Sequence, residues 1–257
     1  MTIEDRAIEI LSEDKLLHID MIEAIRRGEA RLLDIQAGGV LLYHASAATW
    51  MMSAPDPSVA DSLLGCICGN EGQAFSAQAR QILSETDEPP LFVAHQTHYI
   101  ARIQTLLGLP RSMPCLQSAY FAGTPLPEPK GPGEIRQLDL SSLAEVHRHY
   151  SHPVGLDYLR ERLEAGVFHG VFVDGRLAGF AGVHAEGSLG MLEVLPEFRR
   201  QGVAMQLQAY MTNWHLSLGY TPFAQVKVGN LASLALQRKS GYAISDRTVT
   251  WLMDASS

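Results

Sequence analysis

The sequence predicts an α/β protein with a mixed sheet, divided into two parts by a linker. Strand-like and helix-like segments alternate through the 257 residues, and a Pro- and Gly-rich stretch interrupts them at 123–133. A strand-like run also passes through the loop 199–204 directly into a helical pattern. The apolar fraction of 46% can fill a sizeable core. We therefore expect one domain at 1–122 and another at 134–257.

The first part is expected to be helical at its start and α/β after that. Apolar residues recur at helical spacing over residues 3–29, and Gly28 closes that pattern. Gly38-Gly39 indicates a hairpin turn between the first two strands. The expected strands are 32–36, 40–44, 49–52, 91–94 and 115–121, and the expected helices are 60–68 and 98–107. The stretch 123–133 cannot form a regular helix or a central strand, and we interpret it as a semi-rigid linker.

The second part has the predicted order β-α-α-β-β-β-α-β-α-β. Asp174-Gly175 marks a hairpin turn within it. The expected strands are 134–138, 167–173, 177–185, 191–195, 221–228 and 248–253. The expected helices are 141–150, 156–165, 205–218 and a short one that follows Asn230. This order places the loop 199–204 between a strand and a long helix.

The loop Arg199-Arg200-Gln201-Gly202-Val203-Ala204 is the most informative segment of the chain. The first N–H groups of a helix lack internal partners, and the helix dipole adds partial positive charge there. Small residues at Gly202 and Ala204 allow an anion to approach the backbone. The loop therefore predicts a diphosphate cradle. The alternative is an ordinary tight turn with a solvated arginine pair.

This loop resembles the pyrophosphate-binding motif of the GNAT superfamily of N-acetyltransferases, Arg/Gln-x-x-Gly-x-Gly/Ala. A second similarity lies downstream, where Asn230-x-x-Ser233 opens a helix that ends at Gly241-Tyr242. In the family, this Asn lies beside the pantetheine arm of the cofactor. Taken singly, Asn230 could be only a helix N-cap and Gly241 only a C-terminal glycine. Two signatures in the right order favour the resemblance.

The resemblance implies a GNAT fold along 134–257, about half of the chain. Residues 184–192 and 222–226 are most similar to the glycine N-acyltransferase-like branch of the family. The first part resembles the degenerate N-terminal half of tandem GNAT proteins, without a cofactor of its own. The alternative is an unrelated α/β cap.

The resemblance also implies an acyl-CoA-dependent N-acyltransferase. Acetyl-CoA, or another acyl-CoA, is then the co-substrate, and a small amine or amino acid attacks it directly. A non-catalytic acyl-CoA-binding module is the alternative. The implied cofactor-binding residues are Val194, Leu195, Arg199, Arg200, Gln201, Gly202, Val203, Ala204, Asn230 and Ser233. A backbone N–H near Val194 is expected to stabilise the oxyanion.

Acyl transfer to an amine requires a group that accepts a proton, because a free alkyl amine has a pKa of ~10.4. Glu193, in an otherwise apolar strand, is the leading candidate base. The alternatives are that Arg176 or Arg199 neutralises Glu193, or that it faces solvent. His184 is the second catalytic candidate, together with Glu186, although a lone histidine of this kind is usually structural.

The family's usual acid is a Tyr on the helix after Asn230, and Gln237 occupies that position here. Gln cannot supply a proton, and Tyr242 is expected in the core. The leaving thiolate must then take its proton from water or from another residue, or catalysis is slow.

We expect no metal site. The three cysteines, Cys66, Cys68 and Cys115, are odd in number and lack framework spacing, so they are expected to be free thiols. Cys66 and Cys68 would share one side of a strand, but no second cysteine pair completes a tetrahedral zinc site.

The spacing of His147, His149 and His152 does not place three rings on one helical face, and we interpret them as surface residues. Tyr150 and His152 are nevertheless candidates for contact with the acceptor, because the corresponding region lines the acceptor pocket in the GNAT fold.

The net charge of −8 argues against nucleic acid as a partner. The first residues lack the pattern of a secretory signal, and no run approaches the ~20 apolar residues of a membrane span. A cytoplasmic protein is expected. The sequence does not decide the oligomeric state, for which a homodimer is one option.

Overall fold

The computed structural model describes residues 1–67, 77–85, 90–127, 131–152 and 154–255. The chain divides into two compact units, of which the first comprises Met1–Gln117 with Ser245–Ser257 and the second comprises Ser118–Ile244. This division differs from the predicted domains 1–122 and 134–257, because the end of the chain belongs to the first unit. Part of the predicted linker, residues 128–130, lies outside the described residues.

The first unit combines helices with a mixed sheet. Its helices are α1 (Ile3–Leu11), α2 (Ile19–Arg26), α3 (Pro57–Ile67), α4 (Ala77–Ser84) and α5 (Ile100–Leu107). Its strands are β1 (Ala30–Gln36), β2 (Gly39–His44), β3 (Thr49–Ser53), β4 (Leu91–Ala94) and β5 (Arg111–Ala119), of which the last ends in the second unit. The predicted hairpin at Gly38 is present, since β1 and β2 pair antiparallel.

The single helix predicted over residues 3–29 is two helices in the structure. A 3₁₀ turn at Ser12–Asp14 separates them. The side chain of Asp14 accepts a hydrogen bond from Leu17 N–H at 3.2 Å, which gives the backbone a local alternative to continued helix. The apolar periodicity persists through the break because α1 buries one face, with Ala7 and Leu11, and α2 is buried along almost its whole length.

The last strand of the chain, β11 (Ala243–Met253), completes the first sheet. It pairs antiparallel with β4, for example through Trp251 and Val93, and it separates β4 from β5 in the order β1-β2-β3-β4-β11-β5. The sequence predicts a strand at 248–253 but assigns it to the second domain. The sheet it joins is set by packing across more than 100 residues of chain, which periodicity does not encode.

From β6 to α9, the second unit has the order of elements that the sequence predicts. Its strands are β6 (Glu134–Gln137), β7 (His169–Val173), β8 (Arg176–Val183), β9 (Leu189–Val194) and β10 (Phe223–Lys227). Its helices are α6 (Leu143–His149), α7 (Leu156–Glu164), α8 (Val203–Ser217) and α9 (Leu231–Lys239). Strands β6 to β9 form an antiparallel sheet in that order.

Both faces of this antiparallel sheet are covered by helices. On one face, Val203 and Leu207 of α8 pack with residues such as Val171. On the other face, Leu159 of α7 packs with Phe180, in a cluster that also includes residues of α6. The sheet therefore holds the start of α8 and the end of α6 in fixed positions beside the end of β9.

Cys66 lies on α3, and its Sγ donates to Asp34 Oδ2 at 3.2 Å. Burial and the neighbouring carboxylate of Asp34 raise the pKa of this thiol to about 11, so it stays protonated near neutrality. No disulfide joins Cys66 or Cys115 to another cysteine of the described residues, in agreement with the expected thiols, and Cys68 lies outside those residues.

Two negative findings apply to the described ranges alone. No helix there is both long enough and apolar enough to cross a membrane. Nor do three or more His, Cys, Asp or Glu residues come together there in a group that could hold a metal ion.

Candidate functional site: an anion cradle beside a carboxylate

The loop between β9 and α8 has the backbone shape of an anion cradle. Arg200 and Gly202 adopt left-handed conformations, with φ of +61° and +92°. Gly202 is the N-cap of α8, and no side chain caps the first turn of this helix. A Cβ added to Gly202 would meet nothing within 4 Å, so its main chain faces open space. The first N–H groups of a 15-residue helix are thus presented to one pocket.

That pocket has a volume of about 360 Å³. Six of the predicted cofactor-binding residues line it, together with Phe198, Met205 and Lys239; the six are Val194, Arg199, Arg200, Gly202, Val203 and Ala204. Lys239 was not predicted from the sequence. It ends α9, 35 or more residues after the loop, and only the fold brings it to the pocket.

Three cations surround this first pocket. Arg199 donates through Nε to Val194 O at 3.2 Å, which holds its guanidinium against the end of β9. Arg200 and Lys239 make no hydrogen bond or ion pair with any residue that the structure describes. The cations are therefore not neutralised by a described carboxylate, and the pocket favours an anionic ligand.

The remaining predicted cofactor residues lie elsewhere. Gln201 donates through Nε2 to Glu197 O at 2.7 Å. Asn230 caps α9, because its Oδ1 accepts from Ser233 N–H at 3.1 Å. Leu195 lines a second pocket next to the first. The structure thus gives Gln201, Asn230 and Ser233 local hydrogen-bonding roles and does not place them in the lining of either pocket.

Glu193 is held by Ser151, from the segment after α6. The Ser151 N–H donates to Glu193 Oε1 at 3.1 Å, and the Ser151 hydroxyl donates to the same oxygen. The two arginines considered as partners bind other groups: Arg176 pairs with Glu197 at 2.8 Å, and Arg199 binds Val194 O. The half-buried carboxylate of Glu193 is therefore oriented by hydrogen bonds, and no cation among the described residues forms an ion pair with it.

A β-bulge shapes β9 just before Glu193. Gly182 pairs with Gly190 and Phe180 with Glu193, so two steps along β8 correspond to three along β9. Met191, within the bulge, has a left-handed φ of +49°. A bulge bends its strand and changes the direction of the residues that follow.

The end of β9 directs one backbone donor away from the sheet. Leu195 N–H donates to Ala178 O at 3.0 Å. Because N–H groups alternate in direction along an antiparallel strand, the N–H of Val194 points away from β8. It lies next to the first pocket, which Val194 also lines. This geometry suits the oxyanion donor expected near Val194.

His184 is tied into a local structure. Its Nδ1 lies 3.1 Å from the Tyr158 hydroxyl, which also accepts from Ala185 N–H at 3.2 Å. Its Nε2 faces Gly190, where an added Cβ would lie only 2.6 Å away. Burial lowers the pKa of His184, which favours the neutral ring. With Nδ1 in contact with the Tyr158 hydroxyl and the ring buried, His184 is better placed to position Tyr158 than to accept a proton from a substrate.

Glu186 is buried, and the Ser188 hydroxyl donates to its Oε1 at 2.5 Å. Tyr150 lies at the end of α6, 5.5 Å from the ring of His152. Burial, Glu193 and then Glu186 raise the pKa of the Tyr150 phenol. The phenol therefore stays protonated and lies within the electrostatic reach of two carboxylates.

Gln237, which the resemblance implies at the position of an acid, belongs to a buried polar network. The Ser118 hydroxyl donates to Gln237 Oε1 at 3.2 Å, and Gln237 Nε2 donates to Gln208 Oε1 at 3.3 Å. Tyr242 is buried, as expected, with its hydroxyl 2.6 Å from Thr212 Oγ1. Neither residue lines one of the two pockets at the end of β9.

Comparison with known proteins shows a similarity to one family over part of the chain. Residues 134–242 match the model of the acetyltransferase (GNAT) family. No curated protein matches the sequence. A search of solved structures found the same fold in proteins of low identity, so these similarities concern the fold alone.

Three of the solved structures cover nearly the whole chain. A Drosophila melanogaster protein is 18% identical, with a TM-score of 0.63, covering 99% of this chain and 96% of that one. A GCN5-related N-acetyltransferase from Kribbella flavida is 16% identical, with a TM-score of 0.53 and coverage of 93% and 95%. A GCN5-related N-acetyltransferase from Sphaerobacter thermophilus is 13% identical, with a TM-score of 0.51 and coverage of 100% and 96%.

The mixed α/β fold predicted from the sequence is thus confirmed, and the fold similarity extends across both units. The cradle between β9 and α8 lies inside the segment that matches the family. Residues 134–242 are thus similar to the acetyltransferase (GNAT) family.

Proposed function

We propose that the chain is an N-acyltransferase that transfers acetyl from acetyl-CoA to the primary amine of a small molecule or an amino acid. One observation carries the proposal: the uncapped N-terminus of α8 opens into a pocket lined by Arg199, Arg200 and Lys239. A long acyl chain in place of acetyl would use the same cradle.

The cradle fits the diphosphate of coenzyme A. Helix N-termini bind phosphate groups through unpaired N–H groups and the helix dipole. Here the loop adds two arginines, and Gly202 leaves the main chain accessible. These features supply both hydrogen-bond donors and positive charge for two linked phosphates.

The reaction requires that a protonated amine lose a proton before it attacks. Glu193 accepts this proton, directly or through a water molecule. The amine nitrogen then attacks the thioester carbon, the N–C bond forms and the C–S bond breaks. The nitrogen loses its second proton and the thiolate takes one, so one proton is released overall.

Charge builds up on the thioester oxygen during the attack. The N–H of Val194, which points away from β8, is the proposed donor to this oxygen. The proton for the thiolate comes from water, since Gln237 is buried in its own network and cannot supply one.

A second candidate function is a non-catalytic acyl-CoA-binding module. The buried network of Gln237 favours it, because the chain lacks the usual acid at this position. The two functions share the cradle and differ in whether thiol is released.

The experiment combines titration with turnover. Calorimetry with coenzyme A tests the cradle, and release of free thiol from acetyl-CoA with a panel of amines tests transfer. We expect binding, transfer, and loss of binding in the double variant Arg199→Gln, Arg200→Gln, whereas Arg160→Gln on the exposed surface of α7 leaves both unchanged. Binding without thiol release for every amine supports the module. No binding of coenzyme A to the folded protein overturns both functions.

A further inference from the structure

A second, smaller pocket lies beside the cradle. It has a volume of about 130 Å³, and its lining includes Glu193, Val194 and Arg199. Two further residues come from the end of α6, namely Arg148 and His149. Val194 and Arg199 also line the first pocket, so the two pockets meet at the end of β9.

This second pocket carries opposite charges that do not neutralise each other. Arg148 is exposed and forms no hydrogen bond or ion pair with the residues that the structure describes. Glu193 uses Oε1 for Ser151, while its Oε2 has no hydrogen-bond partner within the described part of the chain. A pocket of this kind matches a ligand that carries both a cation and an anion.

The position of Arg148 has a simpler explanation, which is insufficient. Basic residues in the last turn of a helix stabilise the negative end of its dipole, and α6 ends with His147, Arg148 and His149. This accounts for a cation at the helix end. It does not account for the Arg148 side chain lining the same pocket as Glu193, which His147 does not line.

We infer that the second pocket binds the acyl acceptor, and that Arg148 holds an anionic group of that acceptor while Glu193 receives its amine. The inference rests on the proposed function and narrows its substrate class to amines that also carry a carboxylate. A guanidinium binds a carboxylate through two parallel hydrogen bonds, which discriminates against a neutral amide of the same length. The amine then lies next to the carboxylate that accepts its proton.

The test uses matched pairs of acceptors with and without the anion, such as glycine with glycinamide and β-alanine with its amide. Each is titrated into the full-length protein with coenzyme A present and absent, and each is also assayed for thiol release from acetyl-CoA. The members of a pair also differ in basicity. We therefore define the preference as the affinity, or kcat/KM, for the carboxylate divided by that for its amide. This preference in the wild type is then compared with the preference in each variant.

We expect the wild type to prefer the carboxylate at least tenfold in binding and in kcat/KM. Arg148→Gln should abolish this preference without changing the affinity for coenzyme A, and Arg148→Lys should retain part of it. His147→Gln, on the same helical turn, is the matched control and should leave the preference unchanged.

Three results would overturn the inference. The first is that the wild type binds the carboxylate and the amide equally well. The others, both in Arg148→Gln, are that the affinities for carboxylate and amide fall by the same factor, or that the affinity for coenzyme A falls. The proposed function fails separately, through absence of thiol release with every amine. The binding titrations decide the role of Arg148 in that case as well.

Discussion

Ser151 donates two hydrogen bonds to one oxygen of Glu193, from its main-chain N–H at 3.1 Å and from its hydroxyl. The two residues are 42 positions apart in the chain. The contact connects the segment after α6 with β9, and it leaves Glu193 Oε2 available at the second pocket. Ser151 therefore fixes the direction in which the candidate base presents its carboxylate.

Replacing Glu193 should reduce turnover without lowering the affinity for coenzyme A. We expect Glu193→Gln to lower kcat about 100-fold, within the range found for loss of a general base. Ser151→Ala should lower kcat only about fivefold, because the main-chain N–H remains and a typical hydrogen bond contributes about 1 kcal/mol. Thiol release measures both effects, and calorimetry checks the affinity. Glu197→Gln is the control, since that side chain binds Arg176. An unchanged kcat in Glu193→Gln removes Glu193 as the base.

Gly202 should matter for binding beyond its effect on stability. Its φ of +92° strains any residue with a Cβ, and Gly175 has a comparable φ of +75° in a turn outside both pockets. Alanine at either position should lower the free energy of unfolding by about 1 kcal/mol. We expect only Gly202→Ala to lower the affinity for coenzyme A, by about tenfold or more, because this substitution distorts the cradle. Equal affinities of the two variants for coenzyme A would contradict an anion site at this loop.

Lys239 should contribute to the affinity for the nucleotide although it lies on a different element from the loop. Because the Lys239 side chain is exposed, we expect a modest effect: Lys239→Gln should lower the affinity for coenzyme A about three- to tenfold. The loss should shrink at high salt, which screens exposed charges. The neighbouring Arg238→Gln is the control, as Arg238 does not line the pocket. Titration at two salt concentrations measures both variants, and identical behaviour would remove Lys239 from the site.

His169 should make the second unit less stable in acid. It packs against Tyr210 and Trp214, and burial lowers its pKa to about 4. The unfolded chain, with a His pKa near 6.5, binds the proton more tightly, so stability falls as the pH decreases from 6.5 towards 4. At pH 5 this loss is about 2 kcal/mol.

The measurement is urea unfolding of the wild type and His169→Phe at pH 7 and pH 5. His18, whose pKa is also lowered to about 4, is present in both proteins, so its contribution cancels. We expect the variant to lose less stability on acidification than the wild type. A loss of the same size in both would show that His169 is protonated in the folded protein.

The backbone shape of the loop 199–204 could be predicted from the sequence because its determinants are local. The backbone of residues 199–204 follows from a glycine N-cap and the start of one helix, and the order of elements from β6 onwards follows from periodicity. Glu193 was selected as the candidate base because a carboxylate in an apolar strand is unusual, and its role stays a prediction.

The parts of the site that the sequence did not reveal depend on contacts between distant segments. Ser151 is one polar residue in a short connection, and nothing local indicates that it reaches Glu193. Lys239 and Arg148 look like ordinary basic residues at helix ends, a pattern explained by the helix dipole alone. The sheet joined by β11 was misassigned for the same reason.

The place of β11 affects how the chain folds as it is made. Residues 118–244 must leave the ribosome before the strand that lies between β4 and β5 exists. At synthesis rates of about 5–20 residues per second, the nascent first sheet lacks this partner for roughly 6 to 25 s. Its backbone groups are exposed during that delay to pairing with other chains. A chaperone that shields β4 and β5 should therefore raise the yield of folded protein more than one that acts after release.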